Sequence, residues 1–280
     1  MIKHAIWLAE QSITLDYKFF RVSKWSIFEK IHFTIVKYFL LIKHFFVKFN
    51  LGKDFYFFGG KKIYYDSKYG FAGYQSLLAR HQNLIQLANI KNVEVVVDIG
   101  ANVGFFTKLC RGIFPQSKIY SFEPVPRTFE CLKNNLRDDA NTSIYNLAIS
   151  DYNGRAKMNF NEDDSVTSCI SADGDVDVEV KTLDSFVEDN NINRIDILKI
   201  DTEEHELRVL KGASRALSKT KYLFIEIQIE NNKYYTMSSL LKLLSCDAYD
   251  FQLVCFRNYN NTGEGRMRVM DALFRNETII

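Results

Sequence analysis

The most regular hydrophobic pattern in the chain is a β-branched run at residues 95–99, which contains one acid, Asp98, and is followed by glycines at 100 and 104. An apolar run of this length predicts a strand that is buried on both faces of a parallel sheet. The two glycines predict a tight turn after the strand, and a helix is predicted to begin near Val103.

Alternating strands and helices follow this turn. A helix is predicted to about residue 112, then a strand at 119–123, a helix at 129–136 and a strand at 143–148. Further elements are predicted at 183–187, 194–199, 207–217, 222–227 and 240–244, and the last two strands at 251–256 and 268–274. This alternation predicts right-handed βαβ units in an α/β domain. Two final strands without a helix between them predict an antiparallel hairpin at the sheet edge.

Residues 152–181 interrupt the alternation and carry acidic side chains at 162–164 and at 173, 175 and 177. A calcium-binding loop requires a central Gly and a Glu at its end, and this segment lacks both at the required places. We therefore interpret it as a solvated acidic hairpin.

Residues 1–75 are predicted to be an N-terminal extension of a domain at 76–280, with a basic, aromatic helix at 25–49 and a β-hairpin at 55–65. The helix has a narrow polar stripe and a wide apolar arc. The stripe contains Lys30, Thr34, Lys37, His44 and Lys48, and the arc contains Ile31, Phe33, Ile35, Val36, Phe39, Phe45, Phe46 and Phe49. Its longest apolar run, at 38–42, is far shorter than the ~20 residues of a membrane span. Two interpretations remain open: a helix lying on an anionic membrane surface, or one that packs on the domain or on the second subunit of a homodimer.

Charge is distributed unevenly along the chain. The net charge is +2, but residues 1–62 carry eleven Lys and Arg against four Asp and Glu, so the remainder is net acidic. An acidic domain argues against a nucleic-acid substrate, which requires a basic surface. Five cysteines without a C-x-x-C pair indicate reduced thiols, and Glu10 and Asp16 interrupt the place of a signal peptide. We expect a cytoplasmic protein, with peripheral attachment at the inner membrane face left open.

The turn after residue 99 is the first candidate binding site, because ligands of open α/β sheets bind at the carboxyl ends of the strands. Its G-x-x-x-G spacing lacks the dinucleotide fingerprint and the phosphate loop. An adenosine-type ligand with an amino-acid tail fits instead: Asp98 would pair with an ammonium group, Gly100 and Gly104 remove bulk, and Glu123 would hold ribose hydroxyls. The alternative is an ordinary turn whose acids cap helices.

This arrangement resembles the cofactor half of the S-adenosylmethionine-dependent methyltransferases, and Phe122-Glu123-Pro124 is typical of their FkbM family. Agreement with the family extends over residues 95–123, 148–151 with Gly154, 182–184, 198–206 and 210–213. The resemblance implies a Rossmann-like α/β fold with a seven-stranded, mostly parallel sheet, helices on both faces and an antiparallel last strand. The cofactor-binding residues that it implies are Asp98, Gly100, Asn102, Gly104, Glu123 and Ala148.

The stretch at 198–206 is the candidate catalytic segment, because methyl transfer to an alcohol requires a positioned general base. We expect His205 to be the base, with Asp201 or Glu203 orienting it or acting in its place. The alternative is that His205 is a surface residue and the glutamates are acids that favour a helix N-terminus. One departure from the family is Glu204, where a Gly is usual. Asp201 and Glu203 could bind a divalent ion, but two acids are too few to predict a metal site.

The function that the resemblance implies is an S-adenosylmethionine-dependent O-methyltransferase that acts on a hydroxyl of a sugar, a glycoconjugate or another secondary metabolite, with polysaccharide biosynthesis as the expected setting. The expected partner is thus a small molecule or a glycan. The alternative is a non-catalytic or membrane-docked accessory protein that keeps the fold without the transfer.

Overall fold

The computed structural model describes residues 26–28, 30–32, 34, 35, 38, 55–58, 61–64, 84, 85, 88–159, 169, 170, 174–229, 236–261 and 267–279. Most of the predicted extension at 1–75, the acids at 162–164 and Asp173 lie outside these residues. The division of the chain at residue 75 therefore stays a prediction.

The strands are β1 (Phe55–Phe58), β2 (Lys61–Tyr64), β3 (Val95–Ile99), β4 (Lys118–Phe122), β5 (Thr142–Tyr145), β6 (Ala148–Ser150), β7 (Gly154–Asn159), β8 (Cys169–Ile170), β9 (Val176–Thr182), β10 (Ile195–Ile200), β11 (Thr220–Gln228), β12 (Ser245–Cys246), β13 (Tyr249–Asn261) and β14 (Met267–Asn276). The helices with defined bounds are α1 (Phe105–Ile113), α2 (Pro126–Leu136), α3 (Leu183–Asp189), α4 (Glu206–Lys211), α5 (Ser214–Leu217) and α6 (Met237–Leu243).

The main sheet has the strand order β12-β13-β14-β11-β10-β3-β4-β5 within the described chain. From β11 to β5 all neighbours are parallel, whereas β14 runs antiparallel to β11 and β13 antiparallel to β14. The predicted α/β class, the parallel centre and the antiparallel final hairpin are therefore confirmed. The strand count differs, because this sheet has eight strands rather than seven and its antiparallel edge includes the short β12.

The strand predicted at 143–148 is divided into two at Asn146. The side-chain amide of Asn146 donates to the carbonyl oxygens of Glu123 (2.9 Å) and Pro124 (2.8 Å), which turns the chain away from β4. The following strand, β6, pairs with β9 in a second sheet of order β6-β9-β7-β8. Strands β7 and β9 are antiparallel, as the hairpin interpretation of residues 152–181 requires.

The central strands of the main sheet are apolar on both sides, and helices cover both faces of the sheet. On one face, Phe106 of α1 packs against Phe224 of β11 with ring centroids 5.9 Å apart. On the other face, Phe186 of α3 packs edge-on against Phe122 of β4 at 4.7 Å. Each fully buried aromatic or aliphatic side chain contributes about 1.5–3 kcal/mol to folding. The two layers therefore hold the sheet firmly, and the strand ends that form the site are held with it.

The predicted N-terminal helix and hairpin are seen in part. The described residues between 26 and 38 are helical apart from Ser26, and β1 pairs with β2 in the predicted antiparallel hairpin. Asn135 of α2 holds the hairpin through two hydrogen bonds with the backbone of Tyr64 (2.7 and 2.8 Å). No helix in the part of the chain that the structure describes is long and apolar enough to cross a membrane.

Helix α4 ends at a glycine that lies against the second sheet. A Cβ atom on Gly212 would lie 2.0 Å from the carbonyl oxygen of Ser150 in β6. No side chain larger than hydrogen fits at this distance, so Gly212 determines how closely α4 approaches β6.

We predict that Gly212→Ala lowers the free energy of unfolding by about 1–3 kcal/mol, because backbone atoms would have to move. The matched control is Gly112→Ala in α1, where a Cβ would meet no atom within 4 Å. In that helix the same substitution should raise stability by about 0.5–1 kcal/mol. Urea denaturation followed by circular dichroism measures both values. Equal effects of the two substitutions would contradict the proposed contact.

Candidate active site

A cavity opens at the carboxyl ends of β3, β4 and β10, on the side where β6 leaves the main sheet. It is lined by Ile99, Gly100, Asn102, Glu123, Pro124, Val125, Leu147, Ala148, Ile149, Met158, Asp201, Thr202, Glu203 and His205. Seven residues that the sequence predicts for the site lie in this wall: Gly100, Asn102, Glu123, Ala148, Asp201, Glu203 and His205. The other two, Asp98 and Gly104, do not.

Gly100 forms the tight turn at the end of β3. It adopts φ +73°, and a Cβ atom there would lie only 1.8 Å from the carbonyl oxygen of Asp201. The backbone N–H groups of Gly100 and Ala101 both donate to the carbonyl oxygen of Phe122, at 3.1 and 2.8 Å. The turn after β3 therefore contacts the neighbouring strand ends backbone to backbone, and glycine is required for that contact.

Asp98 lies beneath the cavity rather than in its wall. It is fully buried, accepts a hydrogen bond from Thr107 of α1 (2.7 Å) and pairs with Lys199 of β10 (3.3 Å). Because the Asp98 carboxylate is fully buried and does not line the cavity, the prediction that Asp98 binds a ligand's ammonium group is corrected. Asp98 and Lys199 are opposite each other in register, which the sequence alone does not reveal.

Lys199 also pairs with Asp201 (3.3 Å) and donates to the carbonyl oxygen of Gly100 (2.9 Å). Burial alone would lower the pKa of this ammonium group, but Asp201 and Asp98 raise it above its ordinary value. Lys199 therefore stays charged and connects Asp98 below the cavity to Asp201 in its wall.

Glu123 lies at the end of β4, as predicted. Its carboxylate accepts one hydrogen bond from the N–H of Asn102 (3.0 Å) and another from the N–H of Val125 (2.9 Å). Two backbone donors hold the carboxylate in one orientation in the cavity wall. Asn102 supplies its N–H from a left-handed conformation, φ +50°.

Gly104 lies outside the cavity. It precedes α1 with φ +92°, and a Cβ atom there would lie 2.7 Å from a methyl group of Leu132 in α2. Its glycine is explained by the packing of α1 against α2, so the prediction that it removes bulk beside a ligand is corrected.

The cavity has the chemistry that S-adenosylmethionine requires. Glu123 is a fixed carboxylate of the kind that binds two ribose hydroxyls, and Asp201 places a second carboxylate in the wall, where an ammonium group would meet it. Leu147, Ala148 and Ile149 of the adjoining segment offer apolar surface to a purine ring. The residues present therefore fit this cofactor, although Asp201 replaces Asp98 as the candidate for its amino-acid end.

The loop between β10 and α4 has an unusual backbone. Glu203 and Glu204 adopt φ values of +49° and +70°, in the left-handed region that glycine favours. Glycine is the residue that adopts this conformation at position 204 without strain. The side chain of Glu206 stabilises the loop by accepting hydrogen bonds from the N–H (3.0 Å) and hydroxyl (3.2 Å) of Thr202. Burial raises the pKa of Glu206 to about 7. Glu204 does not line the cavity.

His205 lines the cavity, but its hydrogen-bond partner differs from the prediction. Its Nε2 atom lies 2.8 Å from the hydroxyl of Ser150 in β6, rather than against Asp201 or Glu203. Burial, followed by the charge of Arg208, lowers the pKa of His205 to about 4, whereas Asp151 acts in the opposite direction. The imidazole is therefore neutral at pH 7, the form that accepts a proton.

Two further residues of this region escape sequence analysis. Glu226 of β11 is buried, and one carboxylate oxygen each from Asp201, Glu203 and Glu226 lie within 4.8 Å of one another. An acid in an otherwise apolar strand is the signal that could have identified Glu226. Ser150 belongs to the stretch 148–151 singled out in the sequence, but its contact with His205 joins residues 55 positions apart and has no local signal.

Comparison with known proteins identifies the family of this chain. A family model for the methyltransferase FkbM domain matches residues 98–253. Hexuronic acid methyltransferase AglP of Haloferax volcanii is 28% identical over 137 residues, which are 48% of this chain and 56% of AglP. The 2-O-methyltransferase NoeI of Sinorhizobium fredii is 25% identical over 170 residues, 54% of this chain and 70% of NoeI.

A solved structure of methyltransferase FkbM from Methylobacillus flagellatus KT has a TM-score of 0.45 and 20% identity, with 67% of this chain and 45% of that chain covered. The chain thus spans little more than half the length of AglP and less than half of the solved FkbM chain. The domain match alone covers more than half of the chain. On that match, the protein belongs to the FkbM methyltransferase family.

Proposed function

We propose that the protein is an S-adenosylmethionine-dependent O-methyltransferase whose acceptor is a hydroxyl of a sugar, a glycoconjugate or another secondary metabolite. The observation that carries the proposal is the meeting of Glu123, Asp201 and His205 in one cavity at the strand ends. The names of AglP and NoeI, a hexuronic acid methyltransferase and a 2-O-methyltransferase, support an acceptor of this class.

S-adenosylmethionine, when bound, supplies a sulfonium methyl group for an in-line displacement. Within the chain, the carboxylate of Glu123 orients the ligand, and the apolar residues of the wall offer a surface to its ring. The task left to the protein is to hold the acceptor hydroxyl and to remove its proton. Asp201 is fixed by Lys199 for the ligand's charged end.

His205 is the candidate base. Its pKa of about 4 keeps the imidazole neutral across the physiological range, so no proton has to be lost before the reaction. A base this weak is sufficient, because the acceptor hydroxyl becomes far more acidic as its oxygen forms a bond to carbon. Proton removal thus accompanies bond formation rather than preceding it.

A non-catalytic accessory protein is the competing interpretation. It would keep the fold but would not require a partly buried, neutral histidine in the wall of the same cavity as Glu123 and Asp201. The three groups together favour methyl transfer over a scaffold role. The proposal includes polysaccharide biosynthesis as the setting of the reaction.

Peripheral attachment to an anionic membrane is a second proposal, and the described part of the N-terminal helix supports it. Phe28 is 81% exposed, Ile35 63% and Ile27 54%, and Ile31 beside them is 45% exposed. An exposed apolar face in a strongly basic segment is typical of an interfacial helix, and these side chains are not covered by the described domain. The setting would be the cytoplasmic face of a membrane.

We predict that the purified protein binds S-adenosylmethionine and that Glu123→Gln weakens binding by about 1–3 kcal/mol, because one fixed acceptor for ribose is lost. Isothermal titration calorimetry measures the affinity. The matched control is Glu130→Gln on α2, whose carboxylate is largely exposed and should not affect binding. Transfer of a labelled methyl group to a panel of neutral glycosides and uronic acids then tests the acceptor. Folded wild-type protein that binds no cofactor would falsify the proposal.

We predict that Glu204→Gly stabilises the protein by about 1 kcal/mol, because glycine relieves the left-handed strain at this position. Glu204→Ala removes the same charge but keeps a Cβ atom, so it should change stability little. Thermal denaturation of both variants separates the two causes. If alanine stabilises as much as glycine, repulsion among the neighbouring acids is the reason and the strain argument is wrong.

We predict that the protein co-sediments with vesicles containing anionic phosphatidylglycerol, but not with neutral phosphatidylcholine, and that about 0.5 M salt reverses binding. Replacing both Phe28 and Ile31 with Asp should abolish it, whereas Ile229→Asp, at another exposed isoleucine, should not. Replacement of Lys30, Lys37 and Lys48 by Glu should weaken it by about 1 kcal/mol per residue. Equal binding to both kinds of vesicle would contradict the electrostatic part.

A further inference from the structure

A chain of hydrogen bonds leads from His205 away from the cavity. Nε2 of His205 lies 2.8 Å from the hydroxyl of Ser150, which is fully buried. The Ser150 hydroxyl in turn lies 3.1 Å from Oδ1 of Asp151, and Arg208 contacts the same carboxylate at 3.3 and 3.4 Å. These contacts place one hydroxyl between an imidazole and a carboxylate.

The direction of the protons in this chain follows from the chemistry of its two ends. An ionised carboxylate only accepts hydrogen bonds, so the single proton of Ser150 is donated to Asp151. Partial burial acts against ionisation of Asp151, but the bond from Ser150 and the charge of Arg208 lower its pKa below the ordinary value. The serine oxygen is then left as an acceptor, and Nε2 of His205 must carry the proton that it accepts.

The other ring nitrogen, Nδ1, is consequently the unprotonated one in the neutral imidazole. The side chain of His205 makes no other hydrogen bond within the described residues. Among those residues, Oδ1 of Asp98 is the single fully buried side-chain polar atom that lacks a hydrogen-bond partner. Nδ1 of His205 also lacks a partner, so it is not fully buried and is open to the cavity or to solvent. A lone pair with access to the cavity is what a general base requires.

We propose that Ser150 and Asp151 are positioning residues, which fix His205 as its Nε2–H tautomer and present Nδ1 as the atom that accepts the proton of the methyl acceptor. The inference deepens the proposed function and rests on it. The proton moves from the acceptor oxygen to Nδ1 of His205, and Ser150 and Asp151 keep their own protonation states throughout.

The surrounding fold fixes the geometry of this chain of bonds. Gly212 contacts the carbonyl oxygen of Ser150, so the backbone of β6 cannot shift towards α4. Arg208 lies in α4, three residues after His205, and pairs with Asp151 from this helix (3.3 Å). Both ends of the chain of bonds are thus fixed by α4 and β6.

The direct test is the tautomer of His205, measured in the cofactor-free protein by long-range 1H–15N NMR with the signal assigned through His205→Gln. The expected spectrum has a protonated Nε2 and an unprotonated Nδ1. In Ser150→Ala the single tautomer should be replaced by a mixture of both. The matched control is Ser117→Ala, which removes another fully buried serine hydroxyl, one that donates to the carbonyl oxygen of Phe114 (2.9 Å).

The kinetic test uses the acceptor that the methyl-transfer assay identifies. Ser150→Ala should lower kcat roughly 10- to 100-fold, whereas the affinity for S-adenosylmethionine stays within about twofold. Asp151→Ala, at a partly exposed position less prone to unfolding, should lower kcat in the same direction. Ser150→Thr, which retains the hydroxyl, should restore both the tautomer and most of the rate. Ser117→Ala should leave kcat unchanged.

The outcomes separate this inference from the proposed function. An Nδ1–H tautomer in the wild-type protein overturns the inference whether or not methyl transfer is found. A tautomer that changes in Ser150→Ala without any loss of kcat also overturns it, because the chain of bonds would then have no role in the reaction. If no acceptor is methylated although the cofactor binds, the proposed function fails while the NMR result still decides the tautomer.

Discussion

The buried cation Lys199 is the constraint on which the rest of the site depends. An ammonium group with 2% exposure is stable only if opposite charges and acceptors surround it, and here Asp98, Asp201 and the carbonyl oxygen of Gly100 do so. These partners belong to β3, to the end of β10 and to the turn after β3. Satisfying one charge therefore brings together two strand ends and a turn, and the cavity opens where they meet.

A close backbone contact between Gly100 and Asp201 holds the same two turns together. Because a Cβ atom at Gly100 would lie 1.8 Å from the carbonyl oxygen of Asp201, the two turns are in direct backbone contact. Asp201 is then held by a hydrogen bond from its own N–H to the carbonyl oxygen of Ile99 (3.2 Å) and by Lys199. A carboxylate fixed in this way is preorganised for a charged ligand, so little ordering remains to be done on binding.

Sequence analysis succeeds where a feature depends on neighbours along the chain. The strand at 95–99, its turn, and Glu123 at the end of the next strand are predicted correctly, because hydrophobic runs and glycine turns are local patterns. The role predicted for Asp98 needs correction because the pattern shows which strand it belongs to but not which charge lies opposite it. Lys199 is 101 positions away, and only the parallel register of β3 with β10 brings the two together.

The same distinction explains the partner of His205. Asp201 and Glu203 are neighbours of His205 in sequence, and the sequence predicts that one of them orients it. The left-handed conformations of Glu203 and Glu204 turn the loop before His205 is reached. The imidazole then meets β6, a strand that enters this region because Asn146 ends β5. A hydrogen bond between positions 150 and 205 depends on both of these irregular features, and neither has a periodic signal.

Opposing effects on the pKa of His205 suit its role as a base. Burial and Arg208 disfavour the protonated ring before reaction, whereas Asp151 favours it. If the proton is accepted at Nδ1, the positive charge that forms on the ring is stabilised through Ser150 by the carboxylate at the other end of the hydrogen-bond chain. Stabilisation that is stronger for the charged ring than for the neutral one lowers the barrier rather than the ground state, and this is the form in which a binding interaction contributes to rate.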